Sequence, residues 1–193
     1  MSPVALTFDD GPDADWTPQV LQALSNAAVT ATFFVVAEQI AEPSGPALLS
    51  AIVSEGHSVQ PHCARHIRHT ELEFDAIHDD VTRIVGSLAD HGAPKPRFLR
   101  PPYGVLHPEH TARVAKEVGL ELELWTHDPR DYAGTSWSEM LTGLASVRED
   151  SVVLLHDSRR YTERSDSAAN TVALIEPLVA LIHDRGYQTA RLS

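Results

Sequence analysis

The sequence has few of the features that mark secreted or membrane-bound proteins. It contains one cysteine, Cys63, in 193 residues, so no disulfide can form within the chain. A reducing compartment fits this, as does a secreted domain without disulfides. No apolar run could span a bilayer, and Met1–Pro3 lead into the first apolar segment without the basic stretch of a signal peptide. As written, the chain is predicted to be cytoplasmic; trimming of an export signal would leave the same sequence in an extracellular protein.

Basic residues are also scarce. Lys and Arg number 15 against 27 Asp and Glu, which gives a formal net charge of −12. Nucleic-acid surfaces and anionic membranes attract clustered basic side chains, so neither is predicted as a partner. The length predicts a single domain over residues 1–193 and leaves the oligomeric state open.

Short apolar segments alternate with segments of helical spacing, and no repeat or linker interrupts them. Seven segments are predicted as strands: Val4–Phe8, Thr32–Val36, Ser58–Gln60, Arg97–Arg100, Glu121–Trp125, Ser151–Leu155 and Tyr187–Leu192. Alternation of this kind predicts βαβ units and a parallel sheet. About seven parallel strands favour an α/β fold of the distorted, incomplete (β/α) barrel type, with a doubly wound open sheet as the alternative. In both folds, functional residues collect at the carboxyl ends of strands.

Two adjacent aspartates end the first predicted strand in TFDDGP, Thr7–Pro12. Asp-Gly-Pro is ordinary turn material, which accounts for one aspartate but not for two. Neighbouring side chains in a strand diverge, so one carboxylate could bind a metal while the other stays free beside it. A metal lowers the pKa of bound water towards ~7, and the free carboxylate could then accept a proton from that water.

A histidine pair in HCARH, His62–His66, has a spacing that places both imidazoles on one face of a helical turn. Two histidines and a nearby carboxylate would leave a coordination position open for water, which is the catalytic rather than the structural zinc pattern. Two surface histidines in a polar loop are the alternative interpretation.

Polar groups follow three further predicted strands. RPPYG, Arg100–Gly104, could hold an arginine against a carboxylate and aim backbone N–H groups at an oxyanion. DPRDY, Asp128–Tyr132, could supply a carboxylate that orients a histidine, and VVLLHD, Val152–Asp157, ends where a general acid would lie. A rigid turn, a polar loop and a buried core histidine are the respective structural alternatives. Trp125 and Trp137 flank DPRDY and are sugar-stacking candidates, with ordinary packing as the alternative.

Taken in order, TFDDGP, H-x-x-x-H, RPPYG, D-x-x-D-aromatic and LLHD resemble the motifs of the NodB-like polysaccharide deacetylases, carbohydrate esterase family 4. The resemblance spans Leu6 to about Asp157. It implies a distorted β/α barrel. It also implies an enzyme that removes N-acetyl groups from chitin-type or peptidoglycan sugars and releases acetate, or one that removes O-acetyl groups from xylan. It also implies a divalent metal, zinc before cobalt, nickel or manganese.

The resemblance assigns a role to each motif. The implied metal ligands are Asp10, His62 and His66. Asp9 is the implied catalytic base, and Arg100 would hold it in place.

The remaining roles follow in the same way. His156 is the implied general acid, paired with an aspartate of DPRDY. Asp128 is preferred for that pairing and Asp131 is the alternative. Tyr103 would offer its backbone N–H to the oxyanion, and Leu154 would help form the acetyl-methyl pocket.

Two residues depart from the family pattern. Cys63 stands where Thr or Ser is common. Tyr132 stands where Trp is common, and this second departure affects the substrate subsite to which Tyr132 and Trp125 are assigned. The loop from Ser158 to Ala169 is predicted to border the site. Its arginines could favour an anionic substrate, or could belong to a solvated loop: Arg159, Arg160 and Arg164.

Three functions are therefore open. The first is a metal-dependent deacetylase of N-acetylated sugars. The second keeps the same machinery and acts on an acetyl ester such as acetylxylan, or on a small intracellular amide. The third is a sugar-binding protein that has lost turnover.

Overall fold

A computed structural model of the protein describes residues 3–161 and 167–192. Within these ranges there are six strands: β1 (Ala5–Asp9), β2 (Thr32–Val36), β3 (Ser58–Cys63), β4 (Phe98–Leu99), β5 (Glu121–Leu122) and β6 (Val152–His156). The helices are α1 (Thr17–Asn26), α2 (Ala37–Ile40), α3 (Gly45–Ser54), α4 (Phe74–Asp90), α5 (Thr111–Val118), α6 (Trp137–Gly143) and α7 (Ser167–Asp184). No helix among the described residues is long and apolar enough to cross a membrane.

The strands form two parallel sheets. One has the order β3-β2-β1-β6, and the other pairs β4 with β5. Every residue of β1 and β2 is buried, as expected for central parallel strands that are covered on both faces. In the β1–β6 pairing, Asp9 lies opposite His156, so the two strands end side by side. The predicted α/β class with a parallel sheet is confirmed.

Backbone hydrogen bonds connect the two sheets on both sides. The Arg100 N–H, directly after β4, donates to the Pro61 carbonyl of β3 at 3.2 Å. The Leu154 N–H of β6 donates at 2.9 Å to the carbonyl of His127, in the segment that follows β5. The strands therefore surround a common interior, as in a distorted, incomplete barrel, and do not form an open doubly wound sheet.

The prediction of seven strands was wrong by one for the described part of the chain. The segment Tyr187–Leu192 makes a single bridge, between Thr189 and Val4. Its ladder goes no further because the Leu192 N–H donates to the Thr32 hydroxyl at 2.9 Å instead of to a strand carbonyl.

Strand β4 is shorter than the predicted Arg97–Arg100. The side-chain oxygen of Gln60 accepts hydrogen bonds from the N–H groups of Arg97 and Phe98, at 2.9 and 2.8 Å. An amide side chain thus replaces the backbone ladder where β4 meets β3.

Two apolar clusters support the strand ends. The larger packs strands β1, β2 and β6 against helices α1, α3, α6 and α7. The smaller joins α4 and α5 to Leu99 of β4. Because both clusters lie beneath the carboxyl ends of the strands, loops at that edge start from fixed positions.

Candidate active site

The two aspartates of TFDDGP point in different directions. Asp9 is the last residue of β1, and its Oδ1 accepts a hydrogen bond from Nη1 of Arg100 at 2.8 Å. Asp10 has φ of +80°, a left-handed conformation that is uncommon outside glycine. The chain therefore turns at Asp10, which carries its carboxylate away from Arg100. Both aspartates are buried, at 3% exposure each.

Arg100 is fully buried and its guanidinium is surrounded by acceptors. Besides Asp9, it donates to the hydroxyl of Thr7 at 2.7 Å and to the carbonyl of Leu124 at 2.8 Å. Its guanidinium carbon also lies 4.0 Å from the ring centroid of Phe34. A buried charge is tolerated when it is paired and hydrogen-bonded in this way. Arg100 is placed to hold Asp9, as predicted, and does not line the cavity.

Asp10, His62 and His66 bring three donor atoms together. Oδ1 of Asp10 lies 3.3 Å from Nε2 of His62 and 3.1 Å from Nε2 of His66. Ligands at about 2.1 Å from a tetrahedral zinc ion are about 3.4 Å apart, so these spacings fit one ion. The same Oδ1 is buried and has no hydrogen-bond partner among the described residues. This set is also the only group of three or more candidate ligands found within the described ranges.

The electrostatics at Asp10 and His62 favour a cation. Burial opposes ionisation of Asp10, but the contacts with His62 and His66 outweigh it and lower its pKa far below the ordinary value. Burial likewise opposes a charge on His62, and the carboxylates of Asp9 and Asp10 outweigh it and raise its pKa. Nδ1 of His62 lies 2.7 Å from the Arg100 carbonyl, to which it donates, so Nε2 is left as the ligand atom.

The two histidines do not meet through a helical turn, so that prediction was wrong. His62 belongs to β3, and the chain bends between it and His66. The Asp80 carboxylate of α4 accepts hydrogen bonds from the N–H groups of Ala64 and Arg65, at 2.7 and 3.0 Å. This bracing of the bend, rather than helical geometry, aligns the two imidazoles.

His66 is held between two aromatic rings. Its ring stacks on Tyr161 with centroids 4.1 Å apart, and Tyr103 lies on it at 4.4 Å. Nδ1 of His66 is buried and has no hydrogen-bond partner in the described part of the chain. Packing against two rings therefore positions His66, whereas a hydrogen bond to the Arg100 carbonyl positions His62. The sequence offered no signal for Tyr161 beyond its place after LLHD.

The carboxylate that pairs with His156 is Asp131. Its Oδ1 lies 2.7 Å from Nδ1 of His156, and its Oδ2 accepts the His156 N–H at 2.8 Å. The Thr171 hydroxyl of α7 also donates to Oδ2, at 2.7 Å. Burial opposes protonation of His156, but Asp131 outweighs it and raises the pKa to about 10. The imidazolium is therefore the form present at neutral pH.

The preference for Asp128 as this partner was wrong. Arg130 has φ of +60°, and this left-handed turn separates the directions of the two aspartates. Asp131 is 1% exposed and points inward. Asp128 stays exposed, where it accepts hydrogen bonds from the Arg130 N–H at 2.8 Å and from the Tyr132 hydroxyl at 3.1 Å.

These groups surround a cavity of about 620 Å³. Its lining residues are Asp9, Asp10, His62, His66, Arg68, Tyr103, Trp125, Asp128, Tyr132, Ala133, His156 and Tyr161. Sequence reasoning missed Arg68, Ala133 and Tyr161.

The predicted substrate-binding residues are divided between the cavity and the core. Tyr103, Trp125 and Tyr132 line the cavity, and the Tyr132 ring meets that of His156 edge-on at 5.4 Å. A Cβ on Gly104 would lie 2.4 Å from the Trp125 ring, so RPPYG needs its glycine for Trp125 to pack. Leu154 is 3% exposed and is not among the lining residues, so its place in a methyl pocket stays a prediction.

Arg159 and Arg160, from the loop predicted to border the site, are not among the residues that line the cavity. Arg159 pairs with Asp15 at 2.9 Å, and Arg160 pairs with Glu42 at 2.9 Å. Arg164 lies outside the described residues.

The fold and the site together define an α/β-barrel protein with a candidate mononuclear metal site beside a carboxylate and an Asp-paired histidine. A profile described as polysaccharide deacetylase matches residues 2–122. The chain belongs to this family.

Known relatives agree with the assignment. A chitooligosaccharide deacetylase from Bradyrhizobium sp. (strain ANU 289) is 34% identical, over 96% of this chain and 86% of that protein. The peptidoglycan-N-acetylglucosamine deacetylase PgdA from Listeria monocytogenes is 32% identical over 84% of this chain, which spans only 34% of PgdA. Among solved structures, a family 4 carbohydrate esterase from Streptomyces lividans in complex with acetate superposes with a TM-score of 0.89. It is 28% identical, with 100% of this chain and 93% of that chain covered.

Proposed function

We propose that the protein is a zinc-dependent deacetylase that hydrolyses the acetamide of N-acetylated sugars and releases acetate. The observation that carries this proposal is the placement of Asp9 and the Asp131-paired His156 side by side at a cavity that also contains the Asp10–His62–His66 donor set. Relatives named for deacetylation of chitooligosaccharides and peptidoglycan support the choice of substrate.

Asp10, His62 and His66 would hold the zinc ion, which when bound supplies Lewis-acid polarisation of the acetyl carbonyl and a lowered pKa of water. Asp9 is suited to accept the proton of the attacking water, because Arg100 occupies only its Oδ1. Arg100 is fixed by its own hydrogen bonds. The Asp9 carboxylate that it holds therefore needs no movement to accept this proton.

His156 is suited to protonate the leaving nitrogen. Asp131 binds Nδ1, which leaves the Nε2 proton for the substrate. The amide C–N bond breaks as the nitrogen takes this proton, and acetate and a free amino sugar result. The backbone N–H of Tyr103 is the proposed hydrogen-bond donor to the oxyanion.

The test measures metal content and products together. Elemental analysis of the purified protein is expected to give about one zinc per chain, or one cobalt, nickel or manganese. N-acetylglucosamine oligomers are expected to yield acetate and free amine in equal amounts, with turnover lost on chelation and regained when zinc is restored. Acetate from acetylxylan alone would contradict the assignment and favour an esterase. Oligosaccharide binding without metal or turnover would favour a sugar-binding protein.

A further inference from the structure

Arg68 is the one arginine among the residues that line the cavity. Its guanidinium carbon lies 3.8 Å from the ring centroid of Tyr103, and its side chain is 43% exposed. The nearest carboxylate, on Glu71, is 3.9 Å from Nε, beyond hydrogen-bond distance. Arg68 therefore presents to the cavity a guanidinium whose ion pair with Glu71 is long and solvent-exposed, and such a pair is weak.

The stacked rings place this charge beside the reaction centre. The Tyr103 ring contacts both Arg68, at 3.8 Å, and the proposed metal ligand His66, at 4.4 Å. A guanidinium whose face rests on a ring keeps its N–H edge free, and that edge matches the two oxygens of a carboxylate. The stack also removes most of the freedom that an isolated arginine would lose on binding.

The charges around the cavity are unevenly distributed. Arg68 lies on the wall formed by His66 and Tyr103, whereas the exposed carboxylate of Asp128 lies with Tyr132 and His156. A neutral sugar would gain nothing from this separation. A sugar with a carboxylate would be attracted to the Arg68 wall and repelled from the Asp128 wall, so its orientation would be fixed.

We propose that Arg68 is a specificity-determining residue that binds a carboxylate on the substrate, so that the preferred substrate is an acidic N-acetylated glycan. Peptide-free glycan strands of peptidoglycan are of this chemical class, because every second sugar then carries a free lactyl carboxylate. Chitin oligomers carry no charge. This inference rests on the proposed deacetylase function and narrows its substrate.

The experiment compares three substrates with zinc-loaded protein. They are a peptide-free oligosaccharide from peptidoglycan, the same oligosaccharide with its lactyl carboxylates converted to methyl esters, and a chitin oligomer of equal length. The variants are Arg68→Gln, Arg68→Lys and, as a matched control, Arg113→Gln. Arg113 also stacks on a ring, that of Phe74 at 4.1 Å, and pairs with Glu117, but it lies outside the cavity.

The Gln variant is expected to lower kcat/KM for the acidic oligosaccharide about tenfold, since a charge-assisted hydrogen bond is lost. It should change kcat/KM for the methyl ester and the chitin oligomer less than about twofold. The Lys variant should recover part of the loss, Arg113→Gln should cause none, and added salt should weaken the preference.

Equal kcat/KM losses on all three substrates, or none on any, would overturn the role of Arg68 while the deacetylase function stood. Absence of acetate from every substrate with zinc-loaded wild-type protein would instead reject the proposed function. Circular dichroism and zinc content, measured for each variant, separate both results from misfolding.

Discussion

Two adjacent strands, β1 and β6, end in the same pattern, an apolar run followed by two polar residues. The first polar residue of each, Asp9 and His156, faces the cavity and is fixed by a buried ion of opposite charge. Arg100 holds the carboxylate, and Asp131 holds the imidazole. Strand register places the two side by side, so the pairing of β1 with β6 itself assembles the proposed base and acid.

The second residues differ. Asp10 turns towards two histidines, whereas Asp157 turns into the protein and is fully buried. The Thr17 hydroxyl donates to Oδ2 of Asp157 at 2.5 Å, and a Cβ on Gly11 would lie 2.3 Å from that oxygen. One strand end thus yields a proposed metal ligand, and the other a buried carboxyl group packed beneath the TFDDGP turn. The same sequence pattern does not imply the same role.

The largest expected effects separate the neighbours Asp9 and Asp10. Asp9→Asn should lower kcat about 10³-fold with zinc still bound, because a general base is worth 10²–10⁴-fold. Asp10→Asn should lower kcat as far but also weaken zinc binding more than about 100-fold, since it removes a ligand. Titration with a competing chelator measures the difference. Equal zinc affinity in the two variants would show that the assignment of base and ligand is wrong.

A smaller effect concerns the two aspartates of DPRDY. His156 must be protonated to donate, so turnover should fall as pH rises through its raised pKa. Asp131→Asn removes the main stabilisation of the imidazolium against burial, so the alkaline limb of the pH–kcat profile should move down by at least about 1 pH unit. At pH 10, a shift of about 1 pH unit lowers the protonated fraction of His156, and therefore turnover, about fivefold relative to wild type, and at pH 7 it changes turnover little.

Asp128→Asn changes the charge by the same amount and serves as the comparison. Asp128 has no contact with His156 and bonds Tyr132 instead, so the alkaline limb should move much less. A shift as large as that of Asp131→Asn would mean that net charge near the cavity, not the hydrogen bond, sets the pKa of His156.

The sequence predicted well those features that depend on local pattern. Alternation of apolar and helical segments located four of the six strands to within about two residues and the other two to within about three, and strand ends located Asp9, Asp10, His62 and His156 at one edge. Features set by long-range hydrogen bonds were less accessible. Gln60 shortens β4 from 37 positions away, and that bond has no periodicity to detect.

The choice between Asp128 and Asp131 failed for a similar reason. It depends on the left-handed conformation of Arg130, and a non-glycine residue gives no sequence signal for such a backbone. The contribution of Tyr161 to His66 depends on packing between two loops. Motif spacing can place residues at a rim, but it does not specify which of two neighbours points inward.

The smallest effect on turnover, and the clearest effect on stability, is expected at Asp157. Burial raises the pKa of this carboxyl group to about 7, although the hydrogen bond from Thr17 acts in the other direction. A folded-state pKa above the unfolded value means that ionisation disfavours folding. The cost is therefore absent below about pH 4, develops between pH 4 and 7, and is complete above pH 7.

Asp157→Asn cannot ionise, so its free energy of unfolding relative to wild type should rise by on the order of 4 kcal/mol between pH 4 and pH 8. Thr17→Val should show the opposite trend, because it removes the donor that stabilises the charged form. Urea unfolding across this pH range measures both, and kcat of Asp157→Asn should stay within a few-fold of wild type. Stability profiles of wild type and Asp157→Asn that ran parallel with pH would show that this carboxyl group ionises in the folded protein at low cost. A kcat loss comparable to that of Asp9→Asn would show that Asp157 takes part in catalysis.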